Sequence, residues 1–274
     1  MAVIKVGGSV LRSPDSYRRI ARLLADEFRR TTTRVVVSAA AGITDALVRL
    51  AASGDPREAQ ALLDQQENLS GVLPARSRQV EFRRGITEAI VGSKDRLLAW
   101  GEQESAAALQ EHLAALGLDI PIEELRIPGA PSSHSAIVPG FYVRDQIGQV
   151  RCLPRGGSDI SAVLVAENYG ARCVRFWKDG GGIRSNGGVL AQVDAAVLQK
   201  QLAGTVRPLH PAALALASRR QIDLILEDPF GRQGFTRIRS ARTTGPKSLP
   251  SHELKASLPI TGGPQAPLTT GELR

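Results

Sequence analysis

Hydrophobic and polar positions alternate along this chain with two periods. The run Val3-Ile-Lys-Val6 is short, β-branched and followed at once by Gly7-Gly8-Ser9, which predicts a buried strand feeding a glycine turn. Over residues 16–30 the apolar positions Ile20, Leu23, Leu24 and Phe28 recur at helical spacing opposite a charged face. Thr31-Thr-Thr33 breaks that pattern, and Arg34-Val-Val-Val37 predicts a second short strand. Strand, helix and strand at this spacing make a βαβ unit and hence a parallel sheet. Ligands in such sheets sit at the carboxyl ends of strands. The glycine turn and residues 38–44 therefore fall on one rim.

Residues 44–116 carry mostly helical pattern, with Glu102 read as opening a helix after Gly101. Residues 119–141 are rich in Pro and Gly, with a strand-like Ala136-Ile-Val138. They mark the expected boundary between an N-terminal lobe, 1–135, and a C-terminal lobe, 136–241. Beyond it, Arg155-Gly-Gly-Ser-Asp159 precedes an apolar helix over 160–168. Ser158 and Asp159 suit an N-cap there, and the glycine pair suits anion binding at a helix start. Cys173-Val-Arg-Phe-Trp177 is a further strand, running into the loop Lys178-Asp-Gly-Gly-Gly182. A helix is predicted over 212–217 after His210-Pro211, and a strand over 222–226. His210 beside a proline reads as a structural hydrogen-bonder. From about Thr243 the chain loses periodicity, which predicts a flexible tail over 242–274.

Composition narrows the chemistry. The 274 residues are 42% hydrophobic and 23% charged, ordinary for a globular protein. Two cysteines without CxxC spacing argue against a disulfide framework. Together with the lack of a signal-peptide layout and of a spanning apolar run, they point to the cytoplasm and away from a membrane partner. The net charge of +8 fits a site for anionic substrates. Nucleic acid is not the expected partner, because the arginines are scattered and aromatics reach only 4%.

Lys5 at the end of the first strand, followed by Gly7, Gly8 and Ser9, can form a small phosphate cradle: backbone donors, a hydroxyl and a positive charge. Asp159 is placed to hold a lysine, or a metal bound to nucleotide oxygens.

These stretches in order resemble the amino-acid kinase superfamily, most closely the catalytic domain of aspartokinases. Lys5-Val-Gly-Gly-Ser-Val10 is similar to that family's Lys-Phe-Gly-Gly-(Thr/Ser), and Ser38-Ala-Ala-Ala-Gly-Ile-Thr-Asp45 to its Ser-Ala-x-x-Gly-(Val/Ile)-Thr-Asn. Trp100-Gly-Glu102 resembles Phe-Gly-Glu. Gly140-Phe141 with Arg155-Gly-Gly-Ser-Asp159 resembles Gly-Phe…Arg-Gly-Gly-Ser-Asp. Phe176-Trp-Lys-Asp179 resembles Ile-Trp-Thr-Asp, and Arg207-Pro-Leu-His-Pro211 resembles Lys-Val-Leu-His-Pro.

The resemblance implies a three-layer αβα sandwich around a mainly parallel sheet, in two lobes. It also implies ATP-dependent phosphorylation of the side-chain carboxylate of aspartate or an aspartate-like amino acid. Lys5 and Asp159 would be catalytic, with Gly7, Gly8, Ser9 and Ser38 at the transferring phosphate. Thr44, Glu102, Phe141, Arg155 and Ser158 would hold the amino acid, and Lys178, Asp179 and Arg207 the nucleotide. Mg²⁺ would be held mainly through the nucleotide phosphates, with no protein metal cluster. A homodimer is implied, and the family's ACT regulatory domains are missing from the pattern. The family's Thr-Asp-x-x-Gly-x-Tyr-x-x-Asp-Pro is altered over 178–188: lysine replaces threonine, and the tyrosine and Asp-Pro are gone. Asp45 replaces asparagine. The altered loop motivates an alternative, a non-catalytic nucleotide- or amino-acid-binding paralogue serving as a partner subunit.

Overall fold

The computed structural model describes residues 1–127, 129, 133–154, 156–185, 188–201, 209–232 and 234–240. Strand β1 (Ala2–Val6) leads through a single 3₁₀ turn to helix α1 (Pro14–Arg30) and strand β2 (Thr33–Val37). Helix α1 starts sharply because Ser13 and Ser16 form a reciprocal capping box and Pro14 presets the first helical turn. The predicted helical stretch divides into α2 (Ile43–Ser53), α3 (Pro56–Ser70), α4 (Arg76–Ile90) and α5 (Asp95–Ala114). Then follow β3 (Ala136–Pro139), a hairpin of β4 (Tyr142–Arg144) and β5 (Val150–Cys152), α6 (Gly157–Asn168) and β6 (Cys173–Trp177). A small β7 (Arg184–Ser185) and β8 (Gly188–Val189) hairpin precedes β9 (Gln192–Asp194), α7 (Ala195–Gln201), α8 (Pro211–Arg219), β10 (Asp223–Glu227) and β11 (Thr236–Arg239).

Among the described residues, seven strands form one sheet in the order β3-β2-β1-β6-β10-β11-β9. Pairing is parallel throughout except between β10 and β11. Helices cover both faces, giving the three-layer sandwich that the family resemblance implied. Period-2 alternation sorts the strand residues between the layers. Ile4, Val6, Val35 and Val37 join α1, α2 and α5 in one core. Val3, Val36, Val174, Phe176, Leu224 and Ile238 join α6, α7 and α8 in the other.

Two readings are corrected. Glu102 does not open a helix: it lies in the second turn of α5 and is buried, because Gly101 lets that helix press against the loop after β2. A Cβ at Gly101 would meet Ala39 Cβ at 2.9 Å and Ile43 Cγ2 at 3.0 Å. Ser158 and Asp159 do not cap α6: its N-cap is Gly156, at φ +83°, and both side chains sit inside the first turn. The tail expected over 242–274 lies outside the described residues.

Candidate active site

Five strand ends define the rim. Strand β1 ends at Val6, β2 at Val37, β3 at Pro139, β6 at Trp177 and β10 at Glu227, and all five run parallel. Lys5 shares the alternation of Val3, so its side chain leaves the sheet on the face covered by α6. Helix α6 begins there and carries Asp159 in its first turn.

The outcome is a buried charge cluster. Lys5 Nζ lies 3.0 Å from Asp159 Oδ1, with both side chains 7% exposed. Lys178 Nζ lies 3.1 Å from Asp159 Oδ2. The His210 backbone N–H donates to the same Oδ2 at 3.1 Å. Burial by itself would raise the Asp159 pKa, but the charges of Lys5 and Lys178 outweigh it and hold the carboxyl well below its usual range. Burial pushes the Lys178 ammonium down to about 8, against Asp159 and with help from Lys5.

The glycine turn is stitched to its neighbours. The Gly7 N–H donates to the Trp177 carbonyl at 2.9 Å, so it extends the sheet and is not part of an anion nest. That leaves the Gly8 and Ser9 amides, which a one-turn helix does not satisfy internally. Gly8 must lack a Cβ for a packing reason: one would lie 2.3 Å from the Ala39 carbonyl oxygen. Ser9 Oγ accepts the Asp179 N–H at 3.2 Å, and Arg12 holds the Asp179 carboxylate at 3.0 Å. Arg232 approaches the other Asp179 oxygen at 3.5 Å. Ser38 follows β2, and its N–H donates to the Val6 carbonyl.

On the other side of the sheet, burial raises the Glu102 carboxyl to about 8, against hydrogen bonding from the Ala39 N–H and attraction to Lys5. Its Oε2 is buried with no hydrogen-bond partner among the described residues. Such an acceptor costs free energy unless a ligand or water meets it. Thr44 stands in the first turn of α2, half-buried. Phe141 takes the left-handed conformation at φ 69°, with its N–H on Ser161 Oγ at 3.0 Å. Ser158 packs beside Gly140.

The structure thus gathers Lys5, Asp159 and Lys178 in direct contact and sets Gly7, Gly8, Ser9, Ser38, Phe141, Ser158 and Asp179 at the same strand ends. Thr44 makes no described contact with the lysine cluster. Arg155 and Arg207 lie outside the described residues. Sequence reading missed Arg12, Arg232 and the His210 amide. Arg12 stood three residues past the glycine turn, but nothing in the sequence linked it to Asp179. A cavity of about 670 Å³ lies elsewhere: it opens at the β3 edge beside Trp100, Gln103, Tyr142 and Tyr169. Two carboxylates that line it, Glu123 and Glu124, are engaged by Arg34 and Arg144.

Residues 1–228 match the model of the amino acid kinase family. This chain belongs to that family.

Among its relatives, the aspartokinase of Mycobacterium tuberculosis is 30% identical over 191 residues, 68% of this chain and 42% of that protein. The aspartokinase of Corynebacterium glutamicum is 30% identical over 189 residues, 67% of this chain and 42% of that protein. The chain therefore spans about two fifths of the length of these relatives. Among solved structures, Escherichia coli aspartokinase III in complex with aspartate and ADP superposes with TM-score 0.73 at 22% identity. That match covers 90% of this chain and 66% of the other. UMP kinase of Ureaplasma parvum gives 0.50 at 12% identity, covering 87% and 98%. The amino acid kinase fold accounts for the shared parallel sheet with helices on both faces.

Proposed function

We propose that this chain transfers the γ-phosphoryl group of ATP to the side-chain carboxylate of aspartate or an aspartate-like amino acid, releasing ADP and an acyl phosphate. The observation that carries the reading is the buried Lys5–Asp159 pair at the strand ends, 3.0 Å apart, beside the glycine turn. A carboxylate is already nucleophilic at neutral pH, so the reaction needs no general base. It needs two anions brought into line and their charge neutralised. Lys5 and the Gly8 and Ser9 amides would meet the transferring phosphate, with Ser38 beside them.

Glu102, its Oε2 unpaired among the described residues, would take the ammonium of the amino acid. Thr44, Phe141 and Ser158 would frame its carboxylates, with Arg155 joining them from the sequence pattern. The 178–179 loop would face the nucleotide, with Arg207. In this reading the first half of the chain holds the acceptor and residues 136–241 the nucleotide. Both Asp159 oxygens are engaged by lysine ammonium groups, and the described acidic side chains form no metal-ligand cluster. Mg²⁺ would therefore be carried by phosphate oxygens of the nucleotide, supplying charge neutralisation there. The names of the relatives and the aspartate and ADP of the E. coli complex support the choice of acceptor and donor.

Hydroxylamine trapping over a panel of amino acids tests the proposal. Hydroxamate is expected with aspartate or a close analogue, and not with the Lys5→Ala variant. Folded protein with Mg·ATP that gives no hydroxamate with any acid would point to the non-catalytic paralogue instead.

A further inference from the structure

Away from the strand ends, helix α5 meets the β3 edge of the sheet around the cavity of about 670 Å³. That volume falls within the range of about 300–1,000 Å³ common for small-molecule sites. Trp100, Tyr142 and Tyr169 give it aromatic walls, from α5, from β4 and from the end of α6. Trp100 stands two positions before Glu102 on α5, so the two side chains leave the helix on nearly opposite sides. The cavity is therefore turned away from the side of α5 that Glu102 lends to the candidate active site.

Polar groups around the cavity are unevenly matched. Each carboxylate among its lining residues already has a cation. Arg96 Nη1 donates to Glu81 Oε2 at 2.9 Å, and Arg34 and His134 engage Glu123. Arg144 Nη2 and the Tyr142 hydroxyl donate to Glu124 Oε1 at 2.8 and 2.9 Å. The donors are less well supplied. The Trp100 Nε1–H is buried and has no acceptor among the described residues. Arg78 has its charge met by Glu104, 2.7 Å from Nε, but its Nη2 is buried with no hydrogen-bond partner among the described residues. Arg126 is exposed at the cavity with no carboxylate paired to it among the described residues.

A buried donor left unmet costs free energy, so acceptors brought from outside would be favoured here. Spare donors, satisfied carboxylates and aromatic faces together suit an anion with a flat apolar body. In the similar family motif, Phe-Gly-Glu, phenylalanine stands at the Trp100 position and carries no N–H. The indole donor is thus a feature of this chain.

We propose that this cavity is a second small-molecule site, separate from the Lys5–Asp159 site, and that it takes an aromatic carboxylic acid in its ionised form. The ring lies among Trp100, Tyr142 and Tyr169, and the carboxylate is met by the spare donors of Trp100, Arg78 and Arg126. This inference does not depend on the kinase reading.

The test titrates naphthylacetate into the full chain by calorimetry and follows the indole N–H signals of isotope-labelled protein by NMR. The chain has two tryptophans, and Trp177, already bonded to Glu227 at 2.8 Å, serves as the internal reference. Trp100→Phe assigns the other signal. Saturable binding is expected, with a downfield shift confined to the Trp100 signal. Naphthylethylamine, which carries the same ring and the opposite charge, should bind at least about tenfold more weakly. Arg126→Ala, at an exposed position outside the core, should weaken naphthylacetate binding by about tenfold, as should Trp100→Phe. Saturating aspartate and ADP should leave the affinity unchanged. The proposal falls if the acid does not bind saturably, which would leave the cavity to water alone. It falls if the amine binds as well as the acid, or if Arg126→Ala changes nothing and the Trp100 signal stays in place. Displacement of the acid by aspartate and ADP would put it in the candidate active site and end the proposal equally.

Discussion

Glu102 and Lys178 are the candidate-site residues whose protonation the fold has shifted toward the neutral range, and each makes a prediction with a definite sign. Burial raises Glu102 from 4.5 to about 8, so at pH 7 the ligand-free site holds it mostly neutral. An incoming ammonium favours the ionised form. Aspartate binding at pH 7 should therefore release about one proton per site. Calorimetry in buffers of different ionisation enthalpy reads this directly, and Glu102→Gln should abolish the release.

The same shift has a stability consequence. A carboxyl whose folded pKa is raised contributes stability that is fully present below about 4.5 and lost as pH rises through about 8. Lys178 is shifted from 10.5 down to about 8, so the free protein loses its second ammonium as pH rises through that value. kcat/KM for ATP should decline above about pH 8, and Lys178→Arg should move the decline upward, since a guanidinium stays charged. A profile unchanged in the arginine variant would separate the decline from Lys178. These two side chains also mark where sequence reading stops. Glu102 was legible as a candidate from its motif, but the position that gives it its character, inside α5 against the loop after β2, depends on a tertiary contact of Gly101. Lys178 was legible as a departure from the motif, but its grip on Asp159 spans nineteen positions of chain.

At the scale of elements, strong local signals carried most of the architecture. Strand β6 matched its predicted bounds, and β1, β2 and β10 came within a residue, because each is a dense β-branched or aliphatic run between breakers. Strands β9 and β11 were missed. Gln192–Asp194 and Thr236–Arg239 are short, mostly polar and exposed on alternate residues, and only pairing in the sheet, with β9 at its edge and β11 next to it, makes them strands. The turn after β1 was legible as a glycine turn, but part of its purpose was not. Gly7 continues the sheet, and Gly8 gives way to the Ala39 carbonyl. Gly8→Ala must displace either the turn or the loop after β2. It should cost about 1–3 kcal/mol in urea denaturation, and it should reduce turnover more than this loss of stability explains. Unchanged turnover with unchanged stability would mean the contact relaxes freely.

The whole molecule is knitted through its centre. The sheet order places β1 between β2 and β6, so the first strand is flanked by one partner from each half of the sequence. Strand β3 then returns to the outside of β2. Residues 1–135 expressed alone would leave one side of β1 unpaired and bare Val3 and Val36, which the second core covers. That fragment should fail to fold, and unfolding of the entire chain should be a single transition coincident by circular dichroism and tryptophan fluorescence. Two separated transitions would show that the halves are held together less tightly than the sheet order requires.

Strand β1 has a hydrogen-bonded neighbour on each side and a helical layer over each face. Its amides should therefore be among the last in the chain to take up deuterium, exchanging only when everything opens. Lys5 rides on that strand. Its amine is thus moored to the slowest-opening part of the protein, and excursions of outlying hairpins and helices can come and go without carrying it off station.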